Sequence, residues 1–478
     1  MAPVRRVAAF ALLLLATACT SGEQGQPAGI APRLRPTLAP TTTTLRPPPT
    51  VPPAAAVRGC PQAPARGEPD PNRPRYRLEV DVRLAENAVV GATAVRFIPD
   101  LPVDRLVFRL WPNGPRPAQG GGSISVGEVV IDGAVAPAVV GPEDRSVLTV
   151  PLGRTLAAGQ AVDARVPWRL QLPAASRDRI SREGEAVRLG SFFPILSWEP
   201  GKGWQTEPPT GAFAEASSAP VADFDVSVTV PEGLGVLASG VADRPGHWTA
   251  TAMRDFALSV GRFRLASGTA MAPGPVQVTV GVHQTINESA DRYLNKVLAV
   301  MADFGKRYGP YPWPEFTLAI TPALGGGIEY PGHVMQGPGT AGATTSHEVG
   351  HQWFYGLVGN DQGRDPWLDE GLASWAEARY EATIDQFVAS PTPSAALARM
   401  GAPMTYWAGQ PGAYVAGVYT QPVKALAALD DADLVDCALR TYVAVFSHRV
   451  ATPSDLLAAL SAAFPDARAV LRPYGVAT

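Results

Sequence analysis

Cysteine is nearly missing from this chain, with three copies in 478 residues, so a small scaffold held by many disulfides is excluded. Charge is also sparse: 17% of residues carry it and the formal balance is -3, which argues against a dedicated nucleic-acid binder or a strongly acidic interaction tail. The apolar run at residues 7–15 is too short to span a bilayer. What is abundant is apolar side chain, 46% of the whole, over a length that exceeds one ordinary core. Most of the chain should therefore fold, into two or three domains.

Residues 1–19 read as an export signal: Arg5 and Arg6, the short apolar run, then Leu-Ala-Thr-Ala-Cys. That ending resembles a bacterial lipobox with Cys19 as the lipidated residue, although Ala16 stands where leucine is usual; an ordinary signal peptide cut nearby is the plain alternative. Residues 20–67, rich in Pro, Thr, Gly and Ala, cannot bury a core and read as a disordered tether. Cys60 and Cys437 then remain, and whether they pair stays open. Alternating runs such as Tyr76-Arg77-Leu78-Glu79-Val80-Asp81-Val82 mark residues 68–268 as an antiparallel β domain. Helical spacing dominates afterwards: a helix capped by Asn287, another following Ser346, a third beginning near Pro366 and a fourth capped by Thr452 with Pro453 at its first position. The expected boundaries are 269–390 for a catalytic domain and 391–478 for a helical remainder.

The most informative segment is His347-Glu348-Val349-Gly350-His351. Four residues make about one helical turn, so both imidazoles face one side and supply two nitrogen ligands for a metal. Glu348 lies beside that face and can take a proton from a metal-activated water. A catalytic zinc needs one more protein ligand, which this segment does not contain.

Eighteen residues after His351 comes Glu370, inside Trp367-Leu368-Asp369-Glu370-Gly371-Leu372-Ala373-Ser374-Trp375. HEVGH, this spacer and WLDEGLASWAE together resemble the aminopeptidase N family of gluzincin zinc peptidases, and the resemblance implies that Glu370 is the third ligand. Asp369 stands where the family often has asparagine. Glu377, two turns beyond Glu370, can orient a ligand histidine; a solvated helix glutamate is the plain alternative. The resemblance also assigns Glu329, in Gly326-Gly327-Ile328-Glu329-Tyr330, to the substrate's amino terminus, with Tyr330 replacing the usual asparagine. It assigns the catalytic tyrosine to Tyr419, with Tyr414 as competitor, because Gln421-Pro422 replaces the family's Lys-Gly. Trp204 and Asp255-Phe256-Ala257-Leu258 are similar to landmarks in the β domain.

The resemblance thus implies an α+β multidomain chain: an N-terminal antiparallel, saddle-like β domain, a thermolysin-like α/β catalytic domain holding one Zn2+, and a short helical C-terminal region. The expected activity is removal of N-terminal residues from peptides. Alternatives are a zinc endopeptidase, a hydrolase of another small substrate, or a non-catalytic surface binding lipoprotein that keeps the fold. The expected location is the outer side of the cell membrane, held by lipid, with peptides and the membrane as partners, no nucleic acid, and the oligomeric state left open.

Overall fold

The computed structural model describes residues 62–174, 176–211 and 219–476. The signal, Cys19, most of the tether and Cys60 lie outside the described residues. Cys437 is disulfide-bonded, and both other cysteines are among the residues not described. Among the described residues no helix is long and apolar enough to cross a membrane.

Alternation in the sequence becomes a two-faced sheet. In Arg75–Arg83 the side chains of Tyr76, Leu78, Val80 and Val82 are buried while Arg75, Arg77 and Glu79 face solvent. This strand pairs with Ala88–Phe97, which pairs in turn with Val162–Gln171, both antiparallel, at the centre of a nine-stranded sheet. The fully antiparallel expectation fails where Arg75–Arg83 runs parallel to Ala222–Thr229. These strands are far apart in sequence, so no hairpin turn imposes the antiparallel sense. Two four-stranded sheets complete the β-rich part, one of them ordering Ile180–Glu183, Ala186–Leu189, Leu258–Gly261 and Gly235–Ala238.

A separate five-stranded sheet starts at Phe263, ahead of the boundary expected at 268, and orders Phe263–Met271, Pro275–His283, Glu315–Ile320, His333–Gln336 and Gly327–Tyr330. Between its parallel strands Pro275–His283 and Glu315–Ile320 runs the helix Ala290–Tyr308, burying Tyr293, Leu294, Val297, Val300, Met301 and Phe304 at helical spacing. Asn287 does not cap it; the N-cap position is Ser289, without a side-chain bond. The neighbouring Glu288 instead accepts the Tyr293 hydroxyl and, at 2.7 Å, the Gly339 amide. The C-terminal part is helical, and Thr452 with Asp455 forms the capping box of Pro453–Ala463.

One buried side chain joins three parts of the chain. The Arg254 guanidinium donates to the carbonyls of Ala219 at 2.9 Å, Gly356 at 3.4 Å and Arg449 at 3.2 Å. Burial lowers its pKa to about 10. Gly359 must be glycine beside it, because a Cβ there would overlap the guanidinium. Gly359–Asn360 pairs in parallel with Val450–Ala451, tying the loop before Trp367 to the C-terminal helices.

Candidate metal centre

The helix Ala343–Gly350 begins four residues earlier than the sequence suggests, so Ser346 lies inside it and its hydroxyl donates to Glu381 instead of capping. His347 and His351, one turn apart, bring their Nε2 atoms to 3.1 Å. The helix Trp367–Glu381 packs across this turn, with Gly350 close against Ala373 and Ala376. Glu370 Oε2 thereby reaches 3.0 Å from His347 Nε2 and 3.3 Å from His351 Nε2. All three residues are buried.

The outer nitrogens are held as well. His347 Nδ1 lies 3.2 Å from Glu377 Oε2 and His351 Nδ1 3.2 Å from the Phe354 carbonyl. Two acceptors on the Nδ1 side favour the tautomer that leaves both Nε2 lone pairs free, facing each other and a carboxylate. That donor set suits a cation: two imidazoles and one carboxylate converging in a buried space match a zinc site. Without a cation the charges compensate by proton uptake. Although burial opposes it, Glu329 and Glu370 raise His351 to about 9, and Glu370 and Glu377 raise His347. Burial would raise Glu370, but bonds from both histidines hold it far below the carboxylate range.

Two further carboxylates border the cluster. Glu348 is buried and its Oε2 has no hydrogen-bond partner; burial pushes its pKa up to about 8, with the histidines opposing and Glu329 and Glu370 reinforcing. Its closeness to the strand Gly327–Tyr330 demands glycine at 327, where a Cβ would overlap the carboxylate. Glu329, on that strand, is also buried, and its Oε1 has no partner. Burial raises its pKa, while His351 and Arg179 favour the charged form.

Tyr419 lies in a π-helical turn, Ala416–Thr420, a form of backbone found often at functional sites. Its ring stacks on His347 at 5.6 Å, and burial, reinforced by the nearby Glu370 charge, raises its pKa. Tyr414 packs edge-on against Tyr419 at 5.6 Å. The helix Gln421–Ala427 continues directly from this π turn, and Pro422 packs against Gly371. Asp369 faces away from the cluster, accepting the Glu370 amide and the Gln362 side chain, each at 2.8 Å.

Other residues around the centre carry no sequence signal of their own. Gln352, directly after His351, donates to the Tyr330 carbonyl at 3.0 Å and accepts the Gly332 amide at 2.9 Å. Arg179, Arg188, Ser191 and Asp255 approach the 321–332 segment from the β-rich part. Only Asp255 stands in a stretch that resembles a family landmark. A cavity of about 350 Å³ lined in part by Trp313, Met253 and His448 touches none of the cluster residues.

The β-rich N-terminal part and helical C-terminal part together have the fold of the two-domain M1 zinc metallopeptidases. The chain is similar to the solved structure of a two-domain M1 zinc metallopeptidase variant bound to L-arginine, with TM-score 0.63 and 20% identity over 85% of this chain and 94% of that one. A Deinococcus radiodurans M1 zinc metallopeptidase variant bound to a Tyr-Ser-Ala substrate gives TM-score 0.61 and 20% identity, over 85% and 95%. Among curated proteins, mouse aminopeptidase B is 28% identical over 107 residues, which is 21% of this chain and 16% of the mouse protein. Leukotriene A-4 hydrolase of Xenopus laevis is 31% identical over 84 residues, 16% and 14% of the two chains. The match thus spans about a sixth of these curated relatives' length. No family model matches the chain.

Proposed function

We propose that this protein is a zinc-dependent aminopeptidase. The observation that carries the reading is the buried Glu329 carboxylate, its Oε1 without a partner, beside the His347, His351 and Glu370 cluster. A buried unpaired acceptor is costly unless a ligand completes it, and a substrate's terminal ammonium is the matching donor. Zinc held by the three ligands would supply a Lewis acid that polarises a carbonyl and acidifies water.

The chain's own groups then divide the work. Glu329 pairs with the ammonium and sets the first peptide bond over the ligand cluster. Glu348 accepts the water proton at its free Oε2 and returns it to the leaving amine. Tyr419, stacked on His347, donates to the carbonyl oxygen as negative charge grows there. Glu377 holds the His347 tautomer through Nδ1. The M1 neighbours bound to L-arginine and to Tyr-Ser-Ala support a peptide substrate. We read the N-terminal sheets as saddle-like and the metal-bearing part as thermolysin-like. The chain is exported, with Cys19 lipidated and residues 20–67 as the tether to the outer side of the membrane; mass analysis of the mature N-terminus from the membrane fraction tests this.

Hydrolysis of fluorogenic aminoacyl amides, free and amino-acetylated, by the zinc-loaded segment 68–478 tests the activity. Free-amine substrates alone should be cleaved, and Glu348→Gln should lower the rate at least about a hundredfold with zinc content unchanged. Equal cleavage of acetylated substrates would overturn the exopeptidase reading. The likeness to a leukotriene A-4 hydrolase favours, as second reading, a hydrolase of another small substrate.

A further inference from the structure

Glu329 and Tyr330 are neighbours on one strand, so their side chains leave it in opposite directions. Glu329 borders the metal ligands. Tyr330 is fully buried on the other side, its hydroxyl 3.3 Å from Ser191 Oγ and accepting from Arg179 Nη1 at 3.4 Å. Gly190 makes room for it, since a Cβ there would overlap the tyrosine hydroxyl. Ser191 Oγ in turn donates to Asp255 at 2.7 Å, and Arg179 pairs with Asp178 at 3.4 Å.

The same segment is held elsewhere by the same region. Arg188, buried in the strand Ala186–Leu189, donates to the Pro322 carbonyl at 2.7 Å and to Thr321 Oγ1 at 3.2 Å. Gln352 grips the Tyr330 backbone from the metal side. Glu329 Oε1 has no hydrogen-bond partner among the described residues, so backbone placement largely decides where its carboxylate stands. The metal ligands sit on separate helices, which allows the two functions to be perturbed independently.

We propose that Tyr330, braced by Arg179 and Ser191 of the N-terminal sheets, is a positioning residue that fixes Glu329 for capture of the substrate's free ammonium. This rests on the aminopeptidase reading. A polar residue with reach at 330 accepts from the buried Arg179 guanidinium and meets the Ser191 hydroxyl. The N-terminal part is thereby a component of exopeptidase selectivity as well as a scaffold.

The test compares wild type, Tyr330→Phe and Ser191→Ala, all zinc-loaded, against leucine hydroxamate and against 4-methylpentanehydroxamate, which lacks only the amine. Tyr330→Phe should weaken leucine hydroxamate about tenfold, as Glu329 loses its placement against the ammonium, and raise KM for an aminoacyl anilide more than it lowers kcat. Affinity for 4-methylpentanehydroxamate and zinc content should stay unchanged. Ser191→Ala should act in the same direction and serves as the readout should the phenylalanine variant fail to fold. If wild type prefers leucine hydroxamate but the folded variants weaken both inhibitors equally, or neither, the positioning role is overturned while the aminopeptidase reading stands. If wild type binds the two alike, that reading fails and Tyr330 has no ammonium site to position.

Discussion

At the scale of residues, the metal cluster is a problem of protons as much as of geometry. His351 is held up to about 9 by Glu329 and Glu370 when no cation is present, and His347 is raised too. A metal must therefore displace a proton to bind, and the displacement is easier as pH rises through the histidine pKa. Zinc affinity should accordingly increase from about pH 6 to about pH 9 and flatten above, measured by competition with a chromophoric chelator. Affinity independent of pH over that window would mean that the histidines are already neutral in the metal-free protein. The pairing of His347 and His351 was legible in the sequence because one helical turn is a local rule. Arg179 and Tyr330 were not: they stand 151 positions apart, and only the packing of two sheets brings them together.

At the scale of elements, the contacts that matter are close approaches of backbone. Gly371 lets the helix Trp367–Glu381 lie directly on Pro422 and on the Val418 carbonyl. Gly371→Ala forces them apart, an overpacking that should cost about 1–3 kcal/mol in chemical denaturation. Because Val418 adjoins Tyr419 and Gly371 adjoins Glu370, the same variant should lose both kcat and zinc affinity. Retention of both stability and kcat would show that the helices separate without disturbing the π turn. Cap chemistry explains which helix starts could be read from the chain. Thr452 and Asp455 satisfy one another locally, whereas the segment around Asn287 is governed by the reach of Glu288 to Tyr293 and Gly339. The π turn itself leaves no pattern in the sequence, because its extra residue is accommodated by tertiary packing.

At the scale of the molecule, Asp436 gathers the helices behind the site. It accepts from Arg307 and Arg379 at 2.8 Å each and from the Trp375 indole at 2.9 Å, linking Ala290–Tyr308, Trp367–Glu381 and Ala432–Phe446. Asp436→Ala strips a buried acceptor from two cations and should lower stability by about 2–4 kcal/mol, read from urea unfolding. An unchanged midpoint would mean that Asp303 and Asp433, the other partners of those arginines, suffice. The β-then-helix order was legible from the change of period, but the parallel pairing of Arg75–Arg83 with Ala222–Thr229 was not, since alternation is the same in either sense.

The Arg254 junction bears on how the molecule comes apart. Its three acceptors belong to the β-rich part, the turn after the metal helix and the C-terminal helices, and none of them is a charged partner that could follow it into solvent. Loosening any one of these regions strands a buried guanidinium for the other two. Melting is therefore expected to be cooperative across the architectural boundaries, a single calorimetric peak in place of one per region, so that a limited proteolytic nick yields either an intact active protein or a wholly degraded one.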